Sequence, residues 1–226
     1  MNNSQLMIFC DFDGTFIKED SLDVLFERYL PQCEITPLES KWKNGIIGSR
    51  DCISSLFEKV HKMTKDDVYF IADQLTLTDG LSEFLRYVSS INAKFYIISD
   101  GIDVIINRVL KNNDLANYVE KTYSNKLRFD KNLARFRPHS QSEDFCDHER
   151  KCALCKQTVV SRIINNGGTS RTIYIGDGKS DVNVALECEK VFATKSLLQD
   201  STIPETKKIP FNDFTTILKH FEGEII

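Results

Sequence analysis

The chain has 226 residues, 41% of them hydrophobic, with a formal net charge of −4 and a pI near 5.6. That length holds one ordinary domain with an insertion or two small ones, and the apolar share supports a packed core rather than disorder. The acidic balance argues against nucleic acid as a partner. No stretch approaches the roughly 18 apolar residues of a membrane helix, and residues 1–5 lack the basic start of a secretion signal. The expected location is therefore cytoplasmic, with no membrane partner and with the seven cysteines reduced.

Leu6 to Cys10 is a short apolar run ended abruptly by Asp11, the pattern of a buried strand. Ser21 is the expected N-cap of a helix carrying Leu22, Leu25, Phe26, Tyr29 and Leu30. A second amphipathic helix carries Ile53, Leu56, Phe57 and Val60. A third begins at Thr64, with Asp66 and Asp67 in its first turn and Val68, Ile71, Ala72 and Leu75 on one face. A fourth follows Asp79 and Gly80, with Leu81, Phe84, Leu85 and Val88 at helical spacing.

From there strands and helices alternate. Strands are expected at 94–98, 118–123, 172–175 and 190–193, and helices at 104–110, 157–165, 181–188 and 213–221; residues 128–151 are polar and irregular. Alternation of this kind predicts an α/β fold, a Rossmann-like doubly wound parallel sheet. The run of helices after the first strand breaks the alternation. The expected organisation is a core built from 1–16 and 80–226, with an inserted helical cap over 17–79.

Three polar clusters each follow an apolar strand: Asp11-Phe12-Asp13-Gly14-Thr15, Ser99-Asp100-Gly101 and Gly176-Asp177-Gly178-Lys179-Ser180-Asp181. Ligands bind outside the carboxyl ends of the strands in an open parallel sheet, so the clusters should meet at one edge. Carboxylates spaced i, i+2 can hold a hard divalent cation, with more oxygen ligands arriving from across the sheet, and magnesium suits such a set together with a substrate phosphate. One carboxylate can attack phosphorus while another protonates the leaving oxygen. Ser99 can supply a hydroxyl to the phosphoryl oxygens, and a lysine is still required as their cation.

These residues resemble the haloacid dehalogenase (HAD) superfamily of phosphohydrolases. The likeness rests on Asp11-Phe12-Asp13-Gly14-Thr15 after the first strand, Ser99 after Phe95-Tyr96-Ile97-Ile98, and Gly176-Asp177-Gly178 with Asp181 after Ile173-Tyr174-Ile175. It extends over essentially the whole chain. The position of the cap is similar to that in the branch containing phosphoserine phosphatase. Cys152-Ala153-Leu154-Cys155-Lys156 and Ile97-Ile98-Ser99-Asp100-Gly101 look closer to the methionine-salvage and the phosphoethanolamine, phosphocholine and pyridoxal-phosphate phosphatases.

The resemblance implies a HAD-like fold and a set of roles. Asp11 would be the nucleophile, forming an aspartyl-phosphate, and Asp13 the general acid and then base. Asp11, Asp13 (through its carbonyl) and Asp177 would bind Mg2+, with Asp181 supporting that site. Ser99 and Lys156 would hold the phosphoryl group, with Lys179 as the fallback cation. Asp20 falls at a substrate-binding position. The cap arginine that grips the carboxylate of phosphoserine has no counterpart: Ser54 stands near its place, and Arg50 is four residues away.

The implied activity is magnesium-dependent hydrolysis of a small phosphorylated metabolite. A phosphotransferase or mutase shares every motif. A receiver-type signalling module would need neither Asp13 nor the helical insertion. Cys146, His148, Cys152 and Cys155 lie within ten residues, and thiolate and imidazole suit zinc, so a zinc-binding interaction module is a further alternative.

Overall fold

The computed structural model describes residues 5–130, 133–139, 152–167 and 170–223. Seven strands form one sheet in the order β4-β3-β2-β1-β5-β6-β7. They are β1 (Gln5–Cys10), β2 (Lys94–Ile102), β3 (Lys121–Asp130), β4 (Leu133–Arg137), β5 (Ser170–Gly176), β6 (Lys190–Ala193) and β7 (Lys208–Pro210). All neighbours are parallel except β3 and β4, which pair antiparallel from Lys126↔Arg137 to Asp130↔Leu133.

β1 explains the layering. Met7 and Phe9 face one side of the sheet, packing with Tyr96, Tyr174, Val160 and Val184, while Ile8 and Cys10 face the other, among Phe84, Phe95 and Ile106. Both faces are covered by helices, which is why the strand reads as a continuous apolar run. Helices α7 (Lys156–Gly167) and α8 (Val182–Glu187) lie on the first side. On the second lie α5 (Leu81–Ser90), α6 (Asp103–Asn112) and α10 (Phe214–Gly223). A short α9 (Lys195–Gln199) precedes β7.

Strands β2 and β3 extend the sheet from one side of β1, and β5, β6 and β7 from the other. The winding therefore reverses between β1 and β5, which opens a crevice at their carboxyl ends, where ligands bind in such sheets. Asp11 follows β1 directly, and Asp177 follows β5.

Between β1 and β2 the chain forms α1 (Ser21–Tyr29), α2 (Gln32–Lys43), α3 (Ser49–Lys59) and α4 (Lys65–Ala72). It leaves and returns through paired backbone: Ile17 bridges Leu77, Lys18 N–H donates to the Thr76 carbonyl at 2.9 Å, and Thr78 N–H to that of Phe16 at 3.1 Å. The capping box expected at Thr64 is present, with Thr64 and Asp67 bonded reciprocally.

Four expectations need correction. The cap of α1 is Asp20, not Ser21: its carboxylate accepts from Leu22 N and Asp23 N, while Ser21 lies fully buried in the first turn. Helix α2 is additional; Pro31 before it, Pro37 inside it and Ile35 as its one buried residue hide the helical pattern. β3 starts later and runs further than 118–123, after a single 3-10 turn at Ala116–Tyr118. Part of the segment read as irregular is β4, whose Phe136 stacks on Phe57 of α3 with ring centroids 5.0 Å apart. Among the described residues no helix is long and apolar enough to cross a membrane. Cys146 and His148, and with them the zinc expectation, lie outside the described residues; Cys155 is buried and accepts from the Thr158 hydroxyl at 3.1 Å.

Candidate active site

The three motif clusters do meet. Asp11, Asp13, Asp100, Asp177 and Lys156 line one cavity of about 320 Å³ at the carboxyl ends of β1, β2 and β5. Asp11 continues the sheet by one bond, its N–H donating to the Ile175 carbonyl at 2.9 Å. The chain then doubles back through a tight turn over Phe12–Phe16, in which Gly14 adopts φ +69°, and Ile17 N–H closes it onto the Phe12 carbonyl at 3.0 Å. Such a φ favours glycine, and here space demands it as well. A Cβ on Gly14 would collide with the Asp177 carboxylate and come within 2.9 Å of Lys195 Nζ.

Gly14→Ala should therefore push the first and third clusters apart. The expected outcome is a lower melting temperature, with a backbone cost of about 1–3 kcal/mol, together with at least a tenfold loss of phosphatase activity. An alanine variant that matches the parent in both measurements would show that the turn tolerates the side chain.

Lys156 is the ion-pair centre. It is 5% exposed, and its Nζ lies 2.6 Å from Asp11 Oδ1 and 2.7 Å from Asp181 Oδ1. Burial works against its charge, but Asp11, Asp181 and Asp100 outweigh it and hold the lysine pKa above its ordinary value. Asp11 takes Phe12 N–H on the same Oδ1, at 2.7 Å. Its pKa is pushed well up, first by burial and then by Asp181 and Asp177, with Lys156 opposing.

Asp181 is wholly buried and fully engaged. Oδ1 accepts from Lys156 and from the Tyr174 hydroxyl at 2.6 Å; Oδ2 accepts from Asp177 N at 3.1 Å and Gly178 N at 3.0 Å. A carboxylate so committed organises the loop that carries Asp177. Asp13 accepts from Ser21 N–H at 2.7 Å on Oδ1 and faces the Ser99 hydroxyl at 3.4 Å on Oδ2. Its pKa is raised to about 7, by burial first and then by the Asp20 charge, against the Ser21 hydrogen bonds.

Ser99 is fully buried where β2 bulges: four residue steps from Ile98 to Ile102 oppose two from Tyr123 to Asn125. The bulge re-aims the strand end, and Gly101 N–H donates back to Ser99 Oγ at 2.8 Å. Asp20 lines the cavity as well as capping α1, whereas Lys179 is exposed at its rim.

Sequence reasoning passed over Lys195. It adopts φ +46°, rare for a residue with a side chain, and its Nζ reaches Asp177 Oδ2 at 2.9 Å and the Gly14 carbonyl at 3.1 Å. Nothing local marks it, because both partners lie far off in sequence.

The donor set fits a hard cation. Oxygens of Asp11, Asp177 and Asp181 lie within 4.8 Å of one another, and carboxylates outnumber the ammonium groups among them. Oxygen-only ligation of this kind suits magnesium.

The fold is shared with solved hydrolase structures. A HAD-family hydrolase from Salmonella enterica serovar Typhi superposes with a TM-score of 0.77 at 18% identity, covering 100% of this chain and 74% of that one. A phosphoserine phosphatase solved as a phospho-aspartyl intermediate analogue gives 0.73 at 16% identity, over 96% of this chain and 99% of that one. The architecture is thus the α/β fold of HAD-type hydrolases.

The family described as Putative Phosphatase matches residues 6–196, and the chain belongs to that family. It is an enzyme, a phosphatase. Curated relatives agree: 2-hydroxy-3-keto-5-methylthiopentenyl-1-phosphate phosphatase of Bacillus cereus is 28% identical over 95% of this chain and 96% of its own length. The protein of the same name from Bacillus cytotoxicus is 27% identical over 95% and 96%.

Proposed function

We propose that the chain is a magnesium-dependent phosphomonoesterase that hydrolyses a small phosphorylated metabolite by transferring the phosphoryl group to Asp11. The single observation that carries this reading is the buried Lys156 ammonium between Asp11 and Asp181 in the lining of the cavity. It supplies a fixed positive charge beside a carboxylate that must accept an anion.

Residues 17–79 act as a cap that closes over the substrate. Asp11 attacks phosphorus through Oδ2, since Oδ1 is held by Lys156 and Phe12 N–H. Asp13 protonates the departing alcohol and then takes the proton of the hydrolytic water. Ser99 and Lys156 hold the phosphoryl oxygens. Asp11, the Asp13 carbonyl and Asp177 would hold Mg2+, while Asp181 fixes the Asp177 loop. When bound, such a cation would neutralise the phosphate and offset its repulsion by Asp11.

The inserted helices bring Leu22, Phe26, Trp42, Ile53 and Leu56 into the lining of the cavity. These apolar side chains suit the methylthio tail of the substrate named for the Bacillus relatives. Asp20, Asp23 and Glu39, which line the same cavity, favour a second reading, a phosphorylated amine with its ammonium towards Asp20. Phosphoserine fits less well: Lys18, which lines the cavity from the inserted segment, is paired with Asp79 at 2.7 Å.

A panel of phosphorylated metabolites assayed for released phosphate with Mg2+ tests the reading. The methylthio enol phosphate or a phosphoamine should show the highest kcat/KM; phosphoserine far above both would overturn the assignment. Chelation by EDTA should abolish phosphate release and Mg2+ should restore it, while Ca2+, with longer and looser coordination, should inhibit. Full turnover in chelator would refute the metal assignment.

A further inference from the structure

Lys156 begins α7, and the backbone just before it is held from two directions. Ala153 and Leu154 are 0% and 1% exposed, so their N–H groups need protein partners. Ala153 N–H donates to the Ser49 hydroxyl at 2.9 Å, and Leu154 N–H to Asp100 Oδ1 at 2.8 Å. Ser49 opens α3, one of the helices between β1 and β2, whereas Asp100 sits in the β2 bulge beside Ser99. Asp100 is anchored in turn: its carbonyl accepts from Asn125 Nδ2 at 2.5 Å, and Asn125 Oδ1 accepts from His139 N–H at 2.9 Å.

We infer that Ser49 and Asp100 are positioning residues for the Lys156 ammonium, forming a clamp that couples the seating of the inserted helices on the sheet to the placement of the phosphate-binding cation. The inference rests on the role given to Lys156 above.

The geometry makes the coupling specific. Sheet and insertion each supply one acceptor to adjacent peptide groups, so the turn before Lys156 is held at both points only while α3 lies against the sheet. The Ser49 hydroxyl also bears on the Asp100 carboxylate. It works with Lys156 and Leu154 N–H against the burial that raises the pKa of Asp100. With α3 lifted away, Ala153 N–H loses its acceptor and the turn gains freedom, and a displacement of about 1 Å at a reacting centre can cost on the order of a hundredfold in rate. The fully assembled site would then exist only around an enclosed substrate, with water excluded.

The test uses Ser49→Ala, Asp100→Ala, Asp100→Asn and, as control, Lys156→Met in the full chain. Each is measured for kcat, KM and melting temperature on one phosphate ester with saturating Mg2+. Ser49→Ala should lower kcat about tenfold and Asp100→Ala up to about a hundredfold, with KM changing less than about threefold. Asp100→Asn keeps an acceptor for Leu154 N–H and should recover most of kcat, a rescue that a merely structural role would not show. If Lys156→Met is inactive while Ser49→Ala and Asp100→Ala keep the parent kcat, the clamp is refuted and the phosphatase reading stands. If Lys156→Met itself turns over normally, the role of Lys156 falls, and the clamp with it. Should Asp100→Ala fail to fold, Ser49→Ala decides alone: an unchanged kcat overturns the inference, and a tenfold loss at unchanged KM upholds it.

Discussion

Asp11→Asn is expected to reduce phosphate release by at least about four orders of magnitude, the scale on which removal of a nucleophile acts. The amide keeps the shape of the side chain but cannot form the acyl phosphate. The fold should persist. Lys156 still pairs with Asp181 at 2.7 Å, and the Asp11 backbone bond to Ile175 does not involve the side chain. The substitution also removes a carboxylate whose raised pKa shows that its charge is costly to bury. A melting temperature within a few degrees of the parent, with turnover gone, is the expected pair of results. Near-normal phosphate release from this variant would exclude Asp11 as the attacking group.

The second large effect concerns Asp13 and pH. With its pKa raised to about 7, Asp13 carries a proton below that value and loses it above. As general acid it must be protonated, so kcat for an alkyl phosphate, whose leaving alkoxide needs that proton, should fall about tenfold per pH unit above 7. An aryl phosphate with a good leaving group should lack this alkaline limb. Asp13→Asn should cost on the order of 10²- to 10⁴-fold on the alkyl ester and much less on the aryl ester, and the limb should disappear with the carboxyl group. A limb that survives unchanged in Asp13→Asn would assign it to another residue. Stability carries the opposite test of the same shift. A carboxyl with a raised folded-state pKa binds more protons folded than unfolded between about pH 4 and 7, so its contribution to stability is present at low pH and is lost as pH rises through that window. Asp13→Asn should flatten that part of the stability profile.

Much of this chain was legible in its sequence for reasons of periodicity. β1, β2 and β5 are buried on both faces, so each reads as an apolar run, and the polar residues that end each run announce the sheet edge where ligands bind. The strand-end positions of Asp11, Asp13, Ser99 and Asp177 were legible in that way, and Lys156 was singled out through the resemblance its neighbours carry. Local chemistry could not choose between Asp20 and Ser21 as the cap of α1, since both are good caps; the tie is broken by Asp13, which claims the Ser21 N–H from eight residues away. Helix α2 escaped because one buried residue and an internal proline leave almost no 3.6-residue signal, and β4 because its five residues, LARFR, are few and stand in an otherwise polar stretch, so that its order comes from pairing with β3 and contact with α3.

What only tertiary structure decided are the contacts between distant segments. Ser49 meets Ala153 across 104 positions, Asp100 meets Leu154 across 54, and Lys195 meets Gly14 across 181. Sequence determines which residues can form strands, helices and turns, because those preferences act within a few positions. Which side chains then satisfy one another's buried donors and charges depends on how the layers close, and that information lies in no local window.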